Sequence, residues 1–106
     1  MKRNAEQVPE LSVVIPTKDR PRMLPRAVDS ILGQVQDVEV IVVDDGSSPE
    51  NAAAIRDACT DDRVRHLRND MSFGAPHGRN RGLAVARGRY WATFSNTGRP
   101  SMQTVS

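Results

Sequence analysis

Apolar residues in this chain come in short runs whose period alternates along the sequence. Leu11–Pro16 (LSVVIP) is β-branched and apolar at consecutive positions, the pattern of a strand covered on both faces. After a polar turn, TKDRP, apolar residues recur at Leu24, Ala27, Val28, Ile31 and Leu32. This is helical spacing over Pro21–Leu32, with Pro21 suited to the first turn and Gly33 to the stop. Val38–Val43 (VEVIVV) repeats the buried-strand pattern. Ser47 and Glu50 then stand at capping-box spacing with Pro49 just inside, predicting a helix through Ala53 and Ile55 to about Cys59. Val64–Arg68 predicts a short third strand with Val64, His66 and Arg68 on one face. A glycine-bearing loop, NDMSFGAPHGRN, leads into a third helix from Pro76 or His77 to Arg87, which Gly88 stops. Arg89–Phe94 predicts a fourth strand. Past Phe94 the periodicity is lost, so residues 95–106 are expected to form an irregular tail, residues 1–10 a flexible N-terminus, and residues 11–94 the folded domain.

Strands alternating with helices predict an α/β domain of Rossmann-like form, a parallel sheet with helices on both faces. Right-handed crossovers give the strand order 3-2-1-4, so the winding reverses between the first and fourth strands. Ligands of open α/β sheets bind beyond the strand C-termini at such a reversal. Pro16–Arg20, Asp44–Ser47, the Phe73–Asn80 loop and the residues after Phe94 are the segments gathered there. The adjacent carboxylates Asp44 and Asp45, at the end of an apolar run, therefore fall where the chain meets water or a ligand. Arg79 and Asn80 open the third helix, whose free N–H groups attract anions, while Gly74 and Gly78 permit close backbone approach. Arg81, Arg87 and Arg89 read as solvated faces, and Asp19 and Arg20 pair with each other or with Asp44.

Composition narrows the classes. With 106 residues the chain is one small domain. Its net charge of +2 is slight and its four Trp, Tyr and Phe residues offer few platforms for stacking, which disfavours a nucleic-acid partner. The single cysteine, Cys59, excludes an internal disulfide and a Cys-rich metal site, and His66 and His77 lack partners at ligand spacing. No apolar run approaches the length of a membrane span. A soluble chain of a reducing compartment is expected, cytoplasmic, either free or beside a membrane surface.

Three stretches in order, LSVVIPTKDR, EVIVVDDGSS and GAPHGRNRGLAVARGRYWATF, resemble the start of a family 2 glycosyltransferase, over about Leu11–Phe94. The resemblance implies the N-terminal, nucleotide-binding half of a GT-A fold and a nucleotide-diphosphate sugar as ligand, of uridine type. It implies that the Asp45 carboxylate accepts a hydrogen bond from the N–H of a uracil-like base, although Asp-Gly is also ordinary turn chemistry. Asp44 either holds the turn together or contacts base or ribose. Pro16 and Thr17 would cradle base and ribose through backbone groups, or simply end a strand. The family would use Mg or Mn, held by an acidic cluster just after the fourth strand. Here those positions read Ser95, Asn96, Thr97 and Gly98, with no carboxylate, so no metal ligand and no catalytic residue is assigned. The expected function is that of a shortened donor-binding domain, inactive alone. The alternatives are a non-catalytic nucleotide-binding or assembly module, or the product of a truncated gene. An order of 3-2-1-4 also leaves Arg89–Phe94 as an unpaired edge, which predicts self-association.

Overall fold

The structure, a computed structural model, describes residues 8–94 and 103–105. Its elements are β1 (Leu11–Thr17), α1 (Met23–Gln34), β2 (Val38–Asp45), α2 (Pro49–Asp57), β3 (Val64–Asn69), α3 (Ala75–Val85), β4 (Tyr90–Thr93) and β5 (Gln103–Val105). They form one sheet of order β3-β2-β1-β4-β5. β1 pairs in parallel with β2 and β4, and β2 with β3, so the expected parallel order 3-2-1-4 holds and the winding reverses between β1 and β4.

All eight residues of β2 are buried, because both faces of the sheet are covered. Val38, Val40 and Val42 join Val13, Ile15, Leu24, Val28, Ile31 and Ile55 in the larger core under α1 and α2. Ile41 and Val43 point the other way and join Val14, Leu67, Leu83 and Val85 under α3. That second core is thin, and α3 lies unusually close to the sheet. Its buried residues are Gly78 and Gly82. A Cβ at Gly82 would sit 2.4 Å from a Val14 methyl, and one at Gly78 would sit 3.2 Å from Pro16 Cβ. Glycine, where larger apolar residues would be expected, lets helix backbone rest on strand. It also brings the start of α3 to the C-terminal end of β1.

Element ends differ from expectation for identifiable reasons. α1 starts at Met23 instead of Pro21 and runs past Gly33 to Gln34. Pro25 lies in its first turn, where a missing N–H loses no helical bond. α2 is capped by Ser48, whose hydroxyl accepts from the Asn51 N–H at 3.4 Å, and not by Ser47, whose hydroxyl is taken by the Asp19 N–H at 2.8 Å. α3 stops at Val85, two residues short of Arg87, because the Arg87 N–H donates to the Glu39 carboxylate at 2.8 Å and cannot continue the helix.

Two expectations about the ends of the chain are corrected. β4 is not an edge: β5 pairs with it antiparallel, Trp91 opposite Val105 and Thr93 opposite Gln103. The expected irregular tail 95–106 therefore contains a strand, and the unpaired edge that motivated self-association through Arg89–Phe94 is occupied; residues 95–102 and 106 lie outside the described residues. At the other end, Pro9 and Glu10 of the expected flexible N-terminus are tied down. The Pro9 and Glu10 carbonyls accept the Arg89 and Tyr90 N–H groups, each at 3.0 Å. Residues 1–7 lie outside the described residues.

Candidate functional site

Three connections meet at the C-terminal end of the parallel strands: residues 18–22 after β1, 46–48 after β2 and 70–74 after β3. Their mutual hydrogen bonds explain most of the polar residues in the motifs. Asp19 adopts a left-handed conformation, φ 52°, which aspartate tolerates better than most residues. Its Oδ1 accepts from the Ser48 N–H at 2.8 Å and the Asn51 amide at 3.0 Å. With the Asp19–Ser47 bond, this fastens the first connection to the second. Asp19 thus pairs with the start of α2, and not with Arg20 or Asp44. The Asn51 amide and the Ser48 N–H hold its carboxyl below the ordinary carboxylate range.

Asp44 and Asp45, as neighbours on a strand, point to opposite faces. Asp44 is fully buried. Its Oδ2 pairs with Arg68 Nη1 at 2.7 Å and its Oδ1 accepts from the Ser47 N–H at 3.1 Å, while Arg68 Nη2 donates to the Ser47 carbonyl at 3.1 Å. Of the two roles weighed for Asp44, the geometry displays the one that holds the turn.

Asp45 is 4% exposed and accepts four hydrogen bonds. Oδ1 takes the Asn69 amide at 3.0 Å and the Phe73 N–H at 2.9 Å; Oδ2 takes the Ser72 hydroxyl at 3.0 Å and the Gly74 N–H at 2.8 Å. Burial alone would raise its pKa. The Phe73 N–H, Asn69, the Gly74 N–H and Ser72 outweigh burial and bring it down to about 2. A carboxylate has about four lone-pair positions, so this one is filled from within the chain. The loop it holds lies flat on Gly46, whose φ is +74° and whose added Cβ would meet the Ser72 nitrogen at 2.6 Å. This is the physical content of Asp-Asp-Gly-Ser here: one carboxylate for the turn, one for the neighbouring loop, and a glycine on which that loop rests.

The other expected site residues fall around this junction. Pro16 is half-buried under the start of α3 and Thr17 is buried. Arg79 is half-buried and Asn80 exposed, and neither side chain forms a hydrogen bond or ion pair with another described residue. Lys18, Arg20 and Arg22 are exposed on the first connection, where Asp19, Arg20, Pro21, Arg22 and Met23 line a cleft of about 310 Å³.

Three residues at this junction escaped sequence reasoning. Arg81, read as solvated, donates to the Arg68 carbonyl and, at 2.6 Å, to Asn69 Oδ1, which orients the Asn69 amide toward Asp45. Arg68 was visible only as the end of a strand and Asn69 only as the start of the following loop. The register would have found them, since Asp44 stands opposite Arg68 and Asp45 opposite Asn69. His66 packs beneath this junction without a partner for Nε2; burial lowers its pKa. Burial, then the Asp44 charge, push the Cys59 thiol up to about 11, so it is inert as a nucleophile.

Among the described residues no three His, Cys, Asp or Glu side chains converge to hold a metal ion. The run Ser95-Asn96-Thr97-Gly98 lies outside the described residues and has no carboxylate in its sequence. The donor set among the described residues does not fit a divalent cation beside a diphosphate, and no chemical step is assigned to one.

The profile of glycosyl transferase family 2 matches residues 12–96. The glycosyltransferase GlyG of Streptococcus pneumoniae is 41% identical over 83 residues, 76% of this chain and 27% of that protein. The GalNAc(5)-diNAcBac-PP-undecaprenol beta-1,3-glucosyltransferase of Campylobacter jejuni is 36% identical over 86 residues, 78% of this chain and 28% of that protein. The chain thus spans little more than a quarter of the length of these relatives. Among solved structures, the mannosyltransferase PcManGT of Pyrobaculum calidifontis, in complex with GDP-Man and Mn2+, superposes over 86% of this chain and 28% of its own. The TM-score is 0.73 and the identity 23%, a likeness of fold.

Proposed function

This chain belongs to glycosyl transferase family 2, and on that premise we propose that the C-terminal end of its parallel sheet binds the nucleoside-diphosphate part of a sugar donor, of uridine type. The observation that carries this is the seating of α3. Gly78 brings the start of that helix against Pro16 at the reversal between β1 and β4, so free helix N–H groups, Arg79 and the exposed Lys18 and Arg20 share one end of the sheet. A diphosphate is attracted there by charge and by helix N–H donors together. Pro16 and Thr17 line the strand end that faces ribose and base. Asp44 and Asp45 shape the site from beneath and, with both oxygens engaged, act as neither base nor metal ligand while the junction is intact.

A second reading, a non-catalytic nucleotide-binding module, is favoured by the lack of a carboxylate at Ser95–Gly98. Calorimetry with UDP, with and without manganese, tests both. UDP binds weakly, adding manganese or a chelator leaves the affinity unchanged, and affinity falls with added salt because exposed cations supply much of it. No UDP binding under any of these conditions contradicts nucleotide binding. Manganese-dependent turnover of a UDP-sugar contradicts the non-catalytic module.

A further inference from the structure

Four large apolar side chains stand exposed among the described residues, and two of them, Met71 and Phe73, share the loop between β3 and α3. Phe73 is 56% exposed, although the backbone that carries it is tied to a buried carboxylate. Its N–H and that of the following Gly74 both donate to the Asp45 carboxylate, at 2.9 and 2.8 Å. Its ring rests on His77, in the first turn of α3, with centroids 4.6 Å apart and planes tilted by 34°. A ring fixed at its backbone and supported by a neighbour, yet more than half open to water, is a prepared surface. A flat π face invites a flat π partner.

We infer that the outer face of Phe73 is the stacking platform for the nucleobase of the bound nucleotide, with His77 as its backing and Asp45 as the residue that positions it. The inference rests on nucleotide binding at this end of the sheet. Three observations carry it further. First, the connection after β1, Lys18–Arg22, contains no aromatic residue. Tyr90 lies at the opposite end of the sheet, where it stands beside Leu11, and Phe94 packs on the larger core, so among the described residues Phe73 is the exposed phenyl or indole ring at this end. Second, Asp45 already accepts four hydrogen bonds, so a base N–H reaching for it would have to displace one of them. A base that stacks needs none of these bonds broken. Third, Phe73 directly precedes Gly74 and α3, so a base on this ring leaves its phosphates within reach of the helix start and Arg79. Because the ring is held before the ligand arrives, little ordering is lost on binding.

The test separates base from phosphate, using UDP and inorganic pyrophosphate titrated into the 106-residue chain and its variants. Stacking on an aromatic side chain is worth about 1–3 kcal/mol per base, so Phe73→Ala should weaken UDP by about tenfold. It should leave pyrophosphate affinity and the melting temperature unchanged, since alanine keeps the backbone bonds to Asp45. Phe73→Trp should keep or strengthen UDP binding. Phe73→Leu, apolar but without a π face, should behave like alanine. Unchanged UDP affinity in Phe73→Ala overturns the inference and leaves nucleotide binding standing. Equal losses of UDP and pyrophosphate overturn it as well, since the ring would then serve the loop and not the base. An intact chain that binds pyrophosphate but not UDP, or neither, overturns both.

Discussion

Replacing Glu39 by alanine should lower the free energy of unfolding by about 3 kcal/mol, because it leaves a buried hydroxyl and a backbone N–H without their acceptor, while Arg65 and Arg87, 37% and 51% exposed, remain hydrated. Glu39 interrupts the apolar run of β2 and is 1% exposed. Its carboxylate accepts the Ser12 hydroxyl at 2.6 Å, the Arg87 N–H at 2.8 Å, Arg65 Nη1 at 3.2 Å and Arg87 Nε at 3.3 Å. Ser12 Oγ in turn accepts the Gly88 N–H at 2.8 Å, and Arg65 also donates to the Val85 carbonyl at 2.9 Å. One carboxylate therefore closes the end of α3 onto β1, β2 and β3 and sets the start of β4. Alanine would leave a buried hydroxyl, a backbone N–H and two guanidinium groups without their common acceptor. For a domain of this size, whose total stability is about 5–15 kcal/mol, that is a large fraction. Burial pushes the Glu39 pKa up, but Ser12, the Arg87 N–H and the Arg65 and Arg87 guanidinium groups outweigh it and hold the pKa below its ordinary value. Its stabilising contribution is thus complete above the unfolded pKa and is lost as pH falls through the lower folded one. Urea denaturation at neutral pH reads the effect. A loss under about 1 kcal/mol, within the range of an exposed ion pair, would contradict it.

Asp45→Ala should cost roughly 3 kcal/mol, because it strands two backbone N–H groups, an amide and a hydroxyl at once. Unlike Glu39→Ala it acts at the candidate site, so its signature is local. The Phe73 and Gly74 amides should lose protection from hydrogen exchange, and UDP affinity should fall with them because the ring above is no longer held. The acid titration follows from the same bonds. With a folded pKa of about 2 against an ordinary value of 3.8, Asp45 contributes its full stabilisation, about 2 kcal/mol, above the unfolded pKa. That contribution is lost as pH falls from near 4 to about 2. The side-chain carboxyl carbon of Asp45, followed by NMR, should titrate with a midpoint near 2 in every sample that remains folded. A midpoint near 4, or unchanged protection of Phe73 and Gly74 in the alanine variant, would show that the carboxylate does not hold the loop.

The frame of this fold was legible because β1 and β2 are buried on both faces and α1 buries Leu24, Ala27, Val28 and Ile31 at helical spacing. VEVIVV can only be an inner strand, and an inner strand followed by helices predicts a parallel sheet. Glu39, inside that run, was passed over: a buried carboxylate needs partners, but they come from β1, β3 and the segment after α3, and no local pattern names them. The two serines after Gly46 show a similar limit. Either can cap a helix. The choice of Ser48 is made by Asp19, far off in sequence, whose N–H takes the Ser47 hydroxyl. β5 escaped because three residues, Gln103–Val105, carry too short a pattern to read, and they are recruited by the free side of β4. Asp45 was singled out for another role, as the acceptor of a base N–H at the strand end. What the sequence could not show is that loop 70–74 folds back and fills it.

Amide shifts in the isotopically labelled chain, mapped as UDP is added, show whether the C-terminal end of the parallel sheet is the nucleotide site. Perturbed amides should cluster at Thr17–Arg22, Gly46–Ser48 and Phe73–Asn80, while those around Glu39, Arg65 and Arg87 at the other end stay still. Shifts centred on the Glu39 end, or spread without a focus, would contradict it.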